Sequence, residues 1–440
     1  MIRLTNLYNN LIPGRVPPDE RHTFKLHLAY SLVEGIILGV LALNEYVFLR
    51  SMQGNNYLMS ILFQSSMVVF LLLIFFNEFI NRSPDKRKLL RITAIVTRGP
   101  LMLLFFFPSN ETQLSGSNFY HIAFLLIFLI YYMGNPVIYP TINHLLKNSY
   151  SHQHFGRFYS LTQSYNKAVM MVITLVYGIW LDVNPFAFRW VFPVVSLAGV
   201  GSIWLLSAIK PATEQYVAVT IGFLQGVRQS VFRMTGILRT DRPYRHFQIG
   251  MMFYGFSFMI SITIINIFFR EGLNLNYTSV ALYKNFYNIE AIFLLPWFGR
   301  MIGRIDPRVF GIITFASLLG YVLFLQLTNM IRWKADVGDF QLYVFLMCAF
   351  LVYGFYAAGM ALLWNIGSAY FCTPDQSGDY QSVHLFLTAV RALFAPLFGV
   401  WVYEAFGFSA TFLLTAFSLV IAIAILWASY RNDKKPIGNQ

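Results

Sequence analysis

The chain has 440 residues, is 57% hydrophobic and 18% aromatic, carries only 12% charged residues and has a mean hydropathy of +0.56. A soluble protein carries roughly twice that charged fraction, so the composition excludes a soluble globular protein and predicts a polytopic membrane protein. The formal net charge of +13 does not indicate nucleic-acid binding, because the basic residues cluster in short loops between apolar segments, where they set membrane topology.

Apolar runs of spanning length predict twelve transmembrane helices in an all-α fold. The first run is too long for the apolar region of a cleavable signal peptide, and it follows a polar segment. The predicted spans, in chain order, are 25–49, 57–80, 89–107, 118–146, 157–181, 187–209, 247–270, 276–299, 308–329, 340–371, 380–404 and 408–430.

The longest predicted loop, 210–246, separates six helices from six. It is basic, and its apolar residues recur at near-helical spacing, which is typical of an amphipathic helix on the membrane surface. Those apolar residues are Phe223, Val227, Val231, Met234 and Leu238. The predicted organisation is therefore a segment 1–24, a bundle 25–209, this linker, a second bundle 247–430 and a tail 431–440.

The distribution of lysine and arginine predicts the orientation. The side that holds both termini has 23 of these residues in its loops and tails, and the opposite side has 5. By the positive-inside rule, both termini are predicted to be cytoplasmic. Short loops favour a bacterial inner-membrane protein, whereas the tripeptide that begins at Asn110 would be a glycosylation acceptor in a eukaryote.

The sequence predicts no cofactor and no metal. Cys348 and Cys372 are too far apart along one predicted helix for a disulfide, and neither has metal-ligand spacing. The GxxxxGK[ST] pattern that binds nucleotide phosphates does not occur, so direct ATP coupling is not expected. The expected partners are a small-molecule substrate, membrane lipid and, for a coupled transporter, protons; the chain is expected to be a monomer that binds no nucleic acid.

The two predicted bundles share a short pattern. The fifth span opens with Gly156 and Ser160 and closes with a GxW at Gly178, and the eleventh repeats the pattern from Gly378 to Trp401. Each residue of the second copy follows its counterpart in the first copy by the same number of positions, to within one. A duplication of six helices would put such a match in the fifth helix of each half. This pattern predicts two six-helix pseudo-repeats that run parallel to each other.

In this architecture the chain resembles the major facilitator superfamily over essentially its whole length. The resemblance implies a secondary transporter whose halves rock around a site at mid-membrane. The family's loop signature, roughly G-x-x-x-D-R-x-G-R-R, is partly kept in 77–88 and in 299–308, with Asn81 and Gly303 in place of the acidic residue. The resemblance implies a gate-latching role for Arg82, Arg87, Arg300 and Arg304, supported by helix dipoles and Glu78 instead of the usual carboxylate.

Three cations lie at mid-depth in predicted spans: Lys167, Lys284 and Arg391. An unpaired cation at the bilayer centre costs about 3 kcal/mol or more. Lys167 and Arg391 lie at nearly equivalent depths in repeat-related helices, so we expect the cations to converge on one cavity and to bind an anionic or zwitterionic solute. The alternative is that Glu34 or Glu290 neutralises one of them in a structural ion pair.

Buried acids and one histidine are candidates for proton coupling. Glu34 and Glu45 lie eleven residues apart in the first span, and this spacing predicts that they share one helix face. A desolvated carboxylate can carry a proton, and histidine titrates near neutral pH. The predicted proton-coupling residues are Glu34, Glu290 and His384. Arg98 is expected to pair with Glu78 or with a backbone carbonyl.

Other polar groups of the central helices complete the predicted binding site. Two prolines near Asn135 and Tyr139 in the fourth span free backbone carbonyls, which is tolerable where they line a cavity. The tenth span, its repeat partner, offers Trp364 and Asn365. The alternatives to a solute transporter are a flippase for a lipid or lipid-linked precursor, a non-transporting sensor and, least favoured, a membrane-embedded enzyme. An opening towards lipid between spans two and eleven or five and eight would favour the flippase.

Overall fold

The computed structural model describes residues 16–72, 76, 80, 83, 85–115, 118–147, 149–209, 223–302, 304–338, 340–372 and 376–434. Across these residues the fold is helical, apart from one antiparallel hairpin in which β1 (Lys334–Val337) pairs with β2 (Phe340–Tyr343). The helices of the amino-terminal half are α1 Pro18–Leu41, α2 Asn44–Arg50, α3 Asn56–Val68, α4 Lys86–Arg98, α5 Glu111–Ser115, α6 Asn118–Met133, α7 Asn135–Lys147, α8 His152–Val183 and α9 Phe188–Ser207. The helices that follow are α10 Phe223–Thr240, α11 Arg242–Ile267, α12 Tyr277–Ile302, α13 Pro307–Met330, α14 Val344–Ile366, α15 Ser377–Ala392 and α16 Ala395–Lys434.

Nine helical segments within these described ranges are long and apolar enough to cross a membrane. One of them, Asp379–Asp433, contains both the eleventh and the twelfth predicted spans. It bends at Gly407, where φ is 78°, a left-handed conformation that glycine adopts at little cost. The second predicted span overlaps a shorter apolar helix, Asn56–Leu72, and the eighth overlaps α12.

Several predicted spans are interrupted or shifted. The first is broken at Ala42 and Leu43, between α1 and α2. The fourth span is interrupted at Gly134, next to its two prolines. The third span begins as α4 and continues as a 3₁₀ helix, Gly99–Phe106. The prediction that the tenth span begins at residue 340 is wrong, because 340–343 form β2 and α14 begins at Val344. In the linker, α10 covers part of the predicted amphipathic helix, and 210–222 lie outside the described residues.

Equivalent contacts recur in the two halves at the predicted offset. In the first half, His27 Nε2 lies 3.2 Å from Thr162 Oγ1, joining α1 to α8. In the second half, Gln248 Oε1 lies 3.3 Å from His384 Nδ1, joining α11 to α15. The separation along the chain from His27 to Gln248 matches that from Thr162 to His384 to within one position. Both also match, to within one position, the separation between the two copies of the glycine pattern. These paired contacts place the first and fifth spans of each half in the same arrangement.

The two halves are sealed together at the end of the bundle opposite the chain termini. Between residues whose side chains the structure describes, the hydrogen bonds that join the halves all lie at this end or beside the adjoining cavity. The two deepest are those of Lys284 and Asn285, described below. The others join Tyr46 and Arg50 to the Leu275 carbonyl, Ser51 to Tyr277, Asn56 to Glu271 and Glu404, Arg270 to Gln53 and Gly54, and Asp182 to Tyr277 and Thr278.

Candidate functional site

A cavity of about 320 Å³ lies between the two halves, beneath the sealed end. It is built from the first, second and fifth spans of one half and from α11 to α14 of the other. This volume is near the lower end of the range for small-molecule sites, which run from about 300 to 1,000 Å³. The lining residues are Leu38, Leu41, Ala42, Glu45, Phe63, Met170, Thr174, Ile262, Ile265, Asn266, Phe269, Lys284, Asn285, Tyr287, Asn288, Tyr321, Phe350 and Tyr353.

The charged groups of the cavity meet where the first span is broken. Lys284 Nζ on α12 donates a hydrogen bond of 2.7 Å to the carbonyl of Ala42, at the break between α1 and α2. Glu45 lies one turn further along the first span and lines the same cavity. Broken membrane helices expose carbonyls that can hold cationic groups, and such breaks mark solute sites in transporters. An ammonium from one half and a carboxylate from the other therefore share one wall.

Asparagine side chains add directional polarity to this wall. Asn285 Nδ2 donates to the Met171 carbonyl across the interface (2.7 Å), and Asn288 Nδ2 donates to the Lys284 carbonyl (2.8 Å). Asn266 is only 3% exposed, and its Oδ1 is buried with no hydrogen-bond partner among the described residues. A buried amide oxygen without a partner costs about 1–3 kcal/mol, so Asn266 is a candidate to accept a hydrogen bond from a solute.

Of the three cations that we expected to converge on one cavity, Lys284 alone is among the lining residues of this one. Lys167 is exposed and is not among the lining residues. Arg391 is 2% exposed between α15 and α11, where Nη1 donates to the Met251 carbonyl at 2.5 Å. Its Cζ lies 5.9 Å from the centre of the Tyr254 ring, and Nε has no partner among the described residues. The binding roles of Lys167 and Arg391 stay predictions.

Glu34 forms a buried ion pair with Arg98, a partner that the sequence did not predict. Arg98 Nη2 donates to Glu34 Oε1 at 2.8 Å and Nη1 donates to Oε2 at 2.9 Å. The two residues are 3% and 5% exposed, and Arg98 also donates to the Gly199 carbonyl at 3.1 Å. The expected carbonyl contact is present, whereas Glu78 lies outside the described residues. Glu34 therefore neutralises Arg98, and not Lys167, Lys284 or Arg391 as the alternative interpretation supposed.

The other two predicted proton-coupling residues lie within the second half, outside the cavity. The Glu290 carboxylate packs so closely against Gly354 that a Cβ atom there would clash with Oε2. That oxygen is buried and has no hydrogen-bond partner within the described part of the chain. His384 is bound to Gln248 through Nδ1, and its ring centre lies 4.6 Å from that of Trp364. The proton-coupling roles of Glu34, Glu290 and His384 stay predictions.

Three of the remaining predicted binding residues, Asn135, Tyr139 and Trp364, are not among the residues that line this cavity. Asn135 begins α7 and is half-buried, and Tyr139, one turn further on, is 41% exposed. Trp364 is half-buried beside His384. The Asn365 side chain lies outside the part of the chain that the structure describes. Glu45 and Asn266 line the cavity, although neither was among the predicted site residues.

The two loops that match the family signature lack its usual acidic residue, but each contains an aspartate at another position, Asp85 in the first half and Asp306 in the second. Asp85 accepts hydrogen bonds from the backbone N–H groups of Lys88 (2.9 Å) and Arg87 (3.0 Å) at the start of α4. These bonds hold the pKa of Asp85 below its ordinary value. Asp306, its counterpart in the second half, caps α13 and binds Arg308, which also pairs with Asp433.

The structure describes three of the four predicted latch arginines. Arg82 lies outside the described residues, and Arg87 is half-buried. Arg300 and Arg304 are exposed and form no ion pair with a described side chain. Their latching role stays a prediction.

The profile of the Major Facilitator Superfamily matches residues 26–390. The chain belongs to this superfamily. It is therefore a multi-pass membrane transporter of the secondary kind and not an enzyme. No curated protein sequence matches the chain.

Solved transporter structures share the fold at low sequence identity. The nucleoside transporter NupG superposes with a TM-score of 0.72 at 10% identity, covering 93% of this chain and 100% of its own. A peptide transporter, POT, in complex with sulfate gives 0.70 at 11% identity, with coverage of 96% and 97%. A D-xylose-proton symporter gives 0.66 at 13% identity, with coverage of 93% and 97%. At these identities the similarity shows the fold alone.

Proposed function

We propose that this transporter moves a small zwitterionic or anionic solute by alternating access, and that the solute's charged groups bind between Lys284 and Glu45. The observation that carries the proposal is an ammonium and a carboxylate, one from each half, on a single cavity of about 320 Å³. Lys284 would hold the solute carboxylate. Glu45 and the unpartnered Asn266 oxygen would accept hydrogen bonds from its ammonium group.

The same contacts would link solute binding to movement of the halves. Lys284 now donates across the interface to the Ala42 carbonyl. A solute carboxylate would compete with the Ala42 carbonyl for the Lys284 ammonium. The direct hydrogen bond between the halves would then be replaced by a contact that runs through the solute. With both termini cytoplasmic, the sealed end would face outwards, and the present conformation would be the one open towards the cytoplasm.

Packing around the cavity favours a small solute over a lipid. On one side, Phe63 of α3 packs in one cluster with Met259, Ala392 and Ala395. On the other side, Asn285 is bonded to α8, and a Cβ atom at Gly178 would come within 3.1 Å of Ala281. A flippase requires the headgroup to enter sideways from the bilayer, and both lateral interfaces are packed at the level of the cavity.

For proton coupling, Glu290 is the candidate that these contacts favour. Both oxygens of Glu34 are already occupied by hydrogen bonds from Arg98. Glu290 Oε2 is buried without such a partner among the described residues. Glu290→Gln should abolish uptake driven by a pH gradient and preserve solute exchange, measured in liposomes. If Glu290→Gln kept the wild-type response to the gradient, coupling through Glu290 would be excluded.

The test of the binding site is solute uptake by the purified protein in liposomes, with amino acids and small carboxylates as probes. Lys284→Met should lower uptake at least about tenfold, because a hydrogen bond to a charged group contributes roughly 1.5–3 kcal/mol. Lys88→Met is the control, an exposed lysine of α4 that does not line the cavity, and should change uptake less than about twofold. Equal losses of uptake in both variants would show that the solute does not bind at Lys284.

A further inference from the structure

Much of the cavity lining beside the charged groups is aromatic. Of the 18 side chains that line the cavity, 6 are phenylalanine or tyrosine, whereas aromatic residues make up 18% of the chain. The excess is therefore local to the cavity and does not follow from composition alone. The six are Phe63, Phe269, Tyr287, Tyr321, Phe350 and Tyr353.

Five of these rings form one continuous cluster in the second half, in which Tyr287 and Tyr353 are partly exposed and the other three rings are buried. The ring centres of Tyr287 and Tyr353 are 4.7 Å apart, and those of Tyr321 and Tyr353 are also 4.7 Å apart. Phe350 lies 5.8 Å from Tyr321 and 6.1 Å from Phe269. These separations fall in the range of favourable ring–ring contacts. We call these five residues, Phe269, Tyr287, Tyr321, Phe350 and Tyr353, the aromatic wall.

The aromatic wall begins one helical turn from the charged groups. Tyr287 follows Lys284 by three residues on α12, and side chains at this spacing are neighbours on a helix surface. A solute whose carboxylate binds Lys284 would therefore lay the rest of its body against the Tyr287 ring. The charged end lies at the interface between the halves, and the aromatic wall belongs to α12, α13 and α14 and to the end of the seventh span.

We propose that the solute is an aromatic zwitterion of amino-acid size, with its charged groups between Lys284 and Glu45 and its ring against the aromatic wall. This inference rests on the proposed function and narrows its substrate class. Ring–ring contacts favour an aromatic body over an aliphatic one of equal shape, because the ring quadrupoles attract in edge and offset geometries. The cavity volume of about 320 Å³ limits the solute to a small one.

The test is a binding panel on the purified, full-length protein, read by thermal shift and by competition for uptake. The probes are L-phenylalanine, L-cyclohexylalanine, L-leucine, 2-phenylethylamine and 3-phenylpropionate. We expect L-phenylalanine to bind roughly threefold to tenfold more tightly than L-cyclohexylalanine, which has a six-carbon ring of similar size that is puckered and lacks the π system. The two probes that lack one charged group should bind more weakly than L-phenylalanine.

The outcomes separate this inference from the proposed function. If zwitterions bind but L-phenylalanine has no advantage over L-cyclohexylalanine and L-leucine, the aromatic assignment is wrong and the zwitterion site stands. If no zwitterion or carboxylate binds, the proposed function is wrong as well.

Variants test the aromatic wall directly. Tyr287→Leu should remove the preference for L-phenylalanine over L-cyclohexylalanine and leave the binding of L-leucine within about twofold, because Tyr287 is a partly exposed ring of the wall. Phe315→Leu is the matched control, a fully buried phenylalanine of α13 that stacks on Tyr254 and does not line the cavity. Tyr353→Leu provides a second test should Tyr287→Leu fail to fold. An unchanged preference in a folded wall variant would overturn the inference.

Discussion

The first span carries two glutamates whose surroundings differ completely. Glu34 on α1 is enclosed, with both oxygens held by Arg98 at 2.8 and 2.9 Å. Glu45 on α2 faces the cavity between the halves. A buried charge whose partners all lie within one half contributes to folding, whereas one that faces a cavity at the interface remains available to a solute. We therefore propose, from the number and position of their partners, a structural role for Glu34 and a binding role for Glu45.

The largest effect is expected from breaking the enclosed pair. Arg98→Met would leave the Glu34 carboxylate buried without its cation, which costs about 3–5 kcal/mol. We expect the free energy of unfolding to fall by this amount, measured by denaturation of the purified protein in detergent. The double variant Arg98→Met with Glu34→Gln should recover most of the loss, because no charge is then stranded. Wild-type stability in the single variant would contradict a structural role for the pair.

A smaller effect on stability is expected at the cavity. Lys284→Met removes one hydrogen bond to the Ala42 carbonyl, and such a bond contributes about 0.5–1.5 kcal/mol, or somewhat more from a charged donor. Unfolding should therefore change little, while uptake falls at least about tenfold, as argued above. The comparison with Arg98→Met is made on the same preparation. A stability loss as large as that of Arg98→Met would make Lys284 a structural residue.

The fold was largely predictable because apolar length and loop charge act independently of tertiary contacts. Each predicted span overlaps helical elements, and the offset between the two repeats recurs in the contacts of His27 and His384. The error at the tenth span arose because residues 340–343 are apolar enough to continue a helix. Pairing with β1 determines their conformation, and hydropathy does not report such pairing.

The site was predicted less well, and the break in the first span explains part of the failure. Eleven residues correspond to three turns only in a continuous helix, so Glu34 and Glu45 were expected on one face. The structure interrupts that helix at Ala42 and Leu43, and the two acids face different surroundings. Partner choice could not be predicted either, because the contact between Glu34 and Arg98 depends on how the first and third spans pack.

The smallest change in stability is expected at Arg391, whose surroundings resemble those of neither Glu34 nor Glu45. It is as buried as Arg98, yet its one hydrogen bond goes to a carbonyl, and no described acid pairs with it. Replacing it with an apolar residue strands no opposite charge, so Arg391→Met should alter the free energy of unfolding by less than about 1 kcal/mol or raise it.

Gly255 provides the matched test of packing around Arg391. A Cβ atom at Gly255 would overlap the Arg391 guanidinium, so Gly255→Ala alone should destabilise the protein. The same change should be tolerated in the Arg391→Met background, because the shorter, flexible side chain can move aside. If Arg391→Met instead lost as much stability as Arg98→Met, the guanidinium would be a structural element of the second half. If Arg391→Met changed stability little but strongly lowered uptake, Arg391 would have a role in transport, as we propose for Lys284.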